Sequence, residues 1–138
     1  MMTRTCPEIV STGLALALIV IALPGCGVKP VAGGTKGTLR AGAEMLRDIQ
    51  LTVHQTDSDA WRQVGFGITG PDGEFELVTP GAKGALWLTP GEYRCTLESV
   101  GAPVRIPKEY SQAGTTPLKI TWTENDDALA VEVVGVAP

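Results

Sequence analysis

From Thr35 onward, apolar residues recur at every second position, and that spacing restricts the chain to β-strands. A strand turns successive side chains to opposite faces, so a period of two gives one face to a core and the other to water. Ile49, Leu51 and Val53 alternate with Gln50, Thr52 and His54. Val64, Phe66 and Ile68 repeat the spacing, as do Phe75 and Leu77 between Glu74 and Glu76. Tyr93, Cys95 and Leu97 alternate with Arg94, Thr96 and Glu98, and Leu118, Ile120 and Trp122 with Lys119 and Thr121. Leu129, Val131 and Val133 make a last set. Turn chemistry separates these runs at Gly70-Pro71-Asp72-Gly73, Thr89-Pro90-Gly91 and Glu124-Asn125-Asp126-Asp127. The first turn predicts a hairpin from Trp61 to Val78. Gly42–Leu46 reads as a turn or irregular segment, with room for a short helical turn near Ala43–Arg47, and Ala85–Leu88 reads as a weaker apolar stretch. The expected fold is all-β: a single antiparallel β-sandwich of about seven strands over residues 35–138. The 17 glycines and 10 prolines suit many tight turns and argue against a helix bundle.

The N-terminus has a different character. Arg4 precedes Ile9–Leu23, an uncharged apolar run shorter than the ~20 residues of a spanning helix. Leu23-Pro24-Gly25-Cys26 comes next and resembles a lipobox. In that motif a small residue fits the signal peptidase cleft and the cysteine thiol accepts diacylglycerol. Residues 1–25 are therefore expected to be a lipoprotein signal peptide and Cys26 the lipidation site. Other readings of the same residues are an ordinary signal peptide that carries a cysteine, or an uncleaved anchor. Two or three acyl chains hold a membrane firmly, each buried CH₂ contributing about 0.8 kcal/mol. Residues 26–34 form the lipidated tether. Its eight residues Gly27–Gly34 reach about 28 Å at full extension, at roughly 3.5 Å per residue. The expected location is extracytoplasmic, lipid-anchored to a bacterial membrane, on the periplasmic side or at the cell surface.

The cysteines fit this reading. Cys6 leaves with the signal peptide and Cys26 is taken by lipid, so Cys95 has no disulfide partner. Alternation puts Cys95 on the face of Tyr93 and Leu97, where a small core residue is expected rather than a reactive thiol. The formal net charge is −4, and no cluster of Lys and Arg accompanies it, which excludes nucleic acid as an expected partner.

No catalytic motif is legible. His54 is the single histidine, and its alternation with Leu51 and Val53 places it on the wet face. Hydrolytic triads and most zinc sites need a histidine beside a nucleophile or further ligands. Asp57, Asp59, Asp126 and Asp127 sit in turns without the spacing of a calcium loop. Glu74 and Glu76 share a strand face and read as a solvated pair. No cofactor and no metal are expected. Trp122 fits the core pattern, while Trp61 and Trp87 fall at strand ends and are the candidate ligand-binding residues.

The order of motifs in residues 35–135 resembles the small bacterial lipoproteins that carry a carboxypeptidase regulatory-like domain, a transthyretin-like (prealbumin-like) sandwich. The likeness is carried by Lys36-Gly37-Thr38-Leu39, Thr69–Leu77, Pro90-Gly91-Glu92-Tyr93, Ile106-Pro107-Lys108-Glu109-Tyr110, and Thr116-Pro117-Leu118 opening a closing hairpin through Val133. The resemblance implies the fold and an extracytoplasmic setting. It implies no peptidase activity, since in carboxypeptidases this domain accompanies a separate catalytic one. The functional expectation is a noncatalytic, membrane-anchored binding or structural module whose partners are membrane lipid through Cys26 and other envelope proteins or glycans. The alternative is a carrier or receptor for a small molecule or glycan, built on Trp61 and Trp87.

Overall fold

A computed structural model describes residues 33–136, which belong to one compact unit, Val31–Pro138. The lipobox residues Leu23, Pro24, Gly25 and Cys26 lie outside the described residues. Eight strands run in the order β1 (Lys36–Ala41), β2 (Glu44–Met45), β3 (Ile49–Asp57), β4 (Ala60–Ile68), β5 (Glu74–Glu76), β6 (Gly91–Ser99), β7 (Lys119–Trp122) and β8 (Ala128–Glu132). One sheet has the order β4-β3-β6-β7 and is antiparallel throughout. The other is centred on β1, which pairs with β2 and β5 antiparallel and with β8 parallel. The all-β sandwich is as expected, with that one parallel ladder as its departure from the antiparallel rule. The short strand β2 lies in the segment read as irregular, and Ala85–Leu88 contributes only an isolated bridge between Ala85 and Val78.

Alternation located the core well. Leu39, Phe75, Leu129 and Val131 from the first sheet meet Ile49, Leu51, Val53, Tyr93, Cys95, Leu97 and Trp122 from the second, all buried. Burying each Leu, Val or Ile side chain stabilises the fold by about 1.5–3 kcal/mol. Strand β4 runs out of phase with this pattern. Its register against β3 shifts between Val53 and His54, so Val53 faces Gly65 while His54 faces Gln63. Val64 still packs against the core, but Gly65 and Gly67 are the buried positions, and Ile68 is 49% exposed. A bulge of this kind inserts one residue and reverses the facing of the residues beyond it. The apolar set Val64, Phe66, Ile68 therefore does not share one buried face.

Two predicted hairpins are absent because their strands belong to different sheets. After the Gly70–Gly73 turn, β5 pairs with β1, and the chain returns to β4 only at the bridge between Phe66 and Val78. Gly65 and Gly67 permit this crossing. A Cβ on Gly65 would lie 2.4 Å from the Val78 carbonyl oxygen, and one on Gly67 would lie 2.9 Å from that of Glu76. At the other end, β7 joins β6 while β8 crosses to β1, so Thr116–Val133 spans the sandwich instead of closing as a hairpin. The long connection between β6 and β7 is fastened by Tyr110. Its hydroxyl donates to the Val134 carbonyl (3.0 Å) and accepts from the Val134 N–H (3.1 Å).

Candidate functional site

The outer face of the β4-β3-β6-β7 sheet carries a group of polar and aromatic side chains. Register dictates who meets there. His54 stands opposite Arg94, and Arg94 opposite Lys119, which makes one cross-strand row. Further along the same face, Thr56 opposes Trp61, and Glu92 opposes Thr121. Cross-strand neighbours lie close enough to interact directly. The result is a groove of about 420 Å³ bordered by Thr56, Trp61, Glu92, Arg94, Lys119 and Thr121.

Arg94 is held in place. Its guanidinium carbon lies 4.7 Å from the centre of the Trp61 ring, within cation–π range. Its Nη1 donates to the carbonyls of Ala113 (3.2 Å) and Gly114 (3.3 Å) in the β6–β7 connection. Among the described residues, no carboxylate forms an ion pair with Arg94 or Lys119; the ion pairs join Lys36 to Glu76, Arg47 to Asp48 and Arg62 to Asp57. Arg94 and Lys119 are cross-strand partners that border one groove. The arrangement therefore leaves a local positive field with donors to spare.

His54 occupies the outer face as its alternation implied, but it is half-buried rather than fully solvated. Its Nε2 lies 2.9 Å from Thr96 Oγ1. Burial holds its pKa below the usual imidazole value, so the ring is neutral at pH 7. A base beside a hydroxyl is the geometry of an activated nucleophile, which also needs a third group to orient the base and room for a substrate. Thr96 is buried, and no hydrogen bond to the other ring nitrogen exists among the described residues. Cys95 is on the inner face, and burial pushes its thiol up to about 12, far from a reactive thiolate at neutral pH.

Trp87 lines a second groove of about 460 Å³, together with Pro90, Trp122, Glu124 and Asp127. It is 66% exposed, against 38% for Trp61. The two candidate tryptophans thus border separate grooves with no shared lining residue. Asp126 there serves its own turn, accepting from the N–H (2.7 Å) and hydroxyl (3.0 Å) of Thr123. Asp57 pairs with Arg62 at 3.7 Å, and Glu76 accepts from the Gly33 N–H at 3.0 Å. Among the described residues, no three His, Cys, Asp or Glu side chains converge as metal ligands. Trp61 was legible from the sequence as a candidate; Arg94 and Lys119 were not, because only the strand register sets them beside it.

Fold and groove together define a class: a two-sheet β-sandwich that presents an aromatic and cationic groove on one sheet face. No protein-family model matches this chain, and neither a curated protein nor a solved structure does. The likeness to carboxypeptidase regulatory-like domains accordingly stays with the motifs that suggested it.

Proposed function

We propose that this chain is a noncatalytic, lipid-anchored binding module of the bacterial envelope, and that it engages its ligand through the Trp61–Arg94 groove. The observation that carries the binding reading is the fixed, un-neutralised Arg94 stacked on a partly exposed tryptophan. A side chain held by two carbonyls and a ring loses little further freedom on contact with a ligand, which favours recognition. A rigid sheet also holds such a group more accurately than a loop does. The anchor is supported by the apolar run Ile9–Leu23 and by Leu23-Pro24-Gly25-Cys26. The resemblance to small envelope lipoproteins points the same way. Trp87 and its groove offer a second binding surface of the kind expected for a small-molecule or glycan carrier.

Two measurements test the reading. Intact mass from a bacterial membrane should show a chain that starts at Cys26 and carries acyl groups, both lost in Cys26→Ala; an unmodified mass refutes the anchor. Addition of a soluble envelope extract to the ¹⁵N-labelled protein should move the amide signals of β3, β6 and β7 around Trp61. Signals that stay fixed there, or that move only around Trp87, refute the groove assignment.

A further inference from the structure

We propose that the Trp61–Arg94–Lys119 groove takes a singly charged carboxylate carried on a hydroxylated ring, that is, an acidic saccharide of the uronate or muramate kind. The inference rests on the binding reading of this groove and adds the chemistry of the ligand that fills it.

Charge complementarity comes first. Arg94 and Lys119 stand opposite one another with no ion-pair partner among the described residues. Both border the same groove, so an anion bound there would find two cations on its wall. Arg94 spends Nη1 on the Ala113 and Gly114 carbonyls, and a guanidinium has five N–H donors, so others remain for a carboxylate. The two cations set the sign of the ligand charge, and Glu92, which borders the same groove, limits its size. A second negative charge on the ligand would meet that carboxylate, which disfavours a phosphate dianion. The carboxylate of Glu92 is at the same time a good acceptor for ligand hydroxyls. Thr56 and Thr121 add two hydroxyls able to donate and accept. Trp61 is 38% exposed even with Arg94 over its ring, so part of the indole stays open to contact the C–H groups of a pyranose. The groove volume of about 420 Å³ falls within the ~300–1,000 Å³ typical of small-ligand sites. A purely apolar ligand would leave the cations unmet.

The test is titration of the full chain in detergent micelles with galacturonate and with N-acetylmuramate, read by tryptophan fluorescence and calorimetry at low salt. The neutral methyl ester of each sugar acid and triglutamate serve as comparisons. At least one acid should bind, with its methyl ester at least tenfold weaker, the loss expected when a charge-assisted hydrogen bond is removed. Arg94→Gln should weaken binding at least tenfold. Lys119→Gln, an exposed change on an edge strand expected to leave the domain's stability nearly unchanged, should weaken it several-fold, and Trp87→Phe should leave it unchanged. Equal binding of acid and ester overturns the carboxylate inference while the groove remains a binding site. Triglutamate binding as tightly as the sugars replaces the saccharide with an acidic peptide and overturns it too. No binding of either acid also overturns it; the binding reading itself then falls only if the envelope extract leaves the groove signals unmoved.

Discussion

Replacing Gly65 with alanine would place a methyl group 2.4 Å from the Val78 carbonyl oxygen and equally close to a terminal methyl of Leu86. The leucine can rotate away, but the carbonyl is backbone and belongs to the bridge that joins the two sheets. That bridge consists of Phe66 N–H to Val78 O (3.0 Å) and Val78 N–H to Phe66 O (2.8 Å). Relief of the clash requires the segment after β5 to move outward. Overpacking of this kind costs about 1–3 kcal/mol, and each weakened hydrogen bond adds about 0.5–1.5 kcal/mol. With both hydrogen bonds weakened, these come to about 2–6 kcal/mol. For a domain of this size each kcal/mol lowers Tm by roughly 4–8 °C, so a fall of roughly 10 °C or more is expected. Gly114→Ala is the matched control. No atom outside its neighbours lies within 4 Å of the added Cβ, so its stability should stay within about 0.5 kcal/mol of the parent. Urea unfolding of both variants beside the parent, followed by far-UV circular dichroism, measures the difference. Equal stability of the two variants would refute the crossing and restore a β4–β5 hairpin, in which an alanine at position 65 has room.

Three further outcomes are expected. Tyr110→Phe strips the partners from the Val134 N–H and carbonyl and should cost about 1–3 kcal/mol in urea unfolding, with no change in groove binding. Cys95, whose thiol burial pushes up to about 12, should resist iodoacetamide at pH 8 in the native protein and react readily in denaturant, as followed by the mass of its peptide. Because the folded value lies above the unfolded one, its contribution to stability is present below about pH 9 and is lost as pH rises toward 12. His54 has the opposite sense. Its folded pKa lies below 6.5, so the unfolded chain binds the proton first and stability declines as pH falls through that region. His54→Gln should flatten this decline in Tm measured between pH 7.5 and 5, and an unchanged slope would assign the decline to other groups.

The faces of β3, β6 and β8 were legible from the sequence, since Leu51, Cys95 and Val131 each sit where alternation puts them. Alternation reports which side chains share a face, and the burial of those residues answers to that alone. It carries no information on which strand lies alongside. Phe75 and Leu77 alternate correctly, yet the partner of β5 is β1, chosen by the space above Gly65 and Gly67. The reversed facing of Phe66 and Ile68 depends on one extra residue opposite Val53 and His54, which leaves no mark on composition. The same limit applied to the groove. Trp61 stood out as a lone aromatic at a strand end, whereas Arg94 and Lys119 looked like ordinary solvated positions until the β3–β6–β7 register set them side by side. Trp87 was recognisable, but its separation from Trp61 was a matter of tertiary placement.

The parallel pairing of β1 with β8 has a mechanical consequence. Lys36 lies opposite Ala128 and Arg40 opposite Glu132, so the chain comes into β1 at one end of the ladder and leaves β8 at the other. Tension applied to the two flanks of the domain pulls these strands past each other along their length. All the hydrogen bonds between them are then loaded together, and none can be peeled off in turn as in an antiparallel pair pulled from one end. With β1 also paired to β2 and β5, a pull on the two flanks must break the whole β1–β8 ladder at once before the strands part.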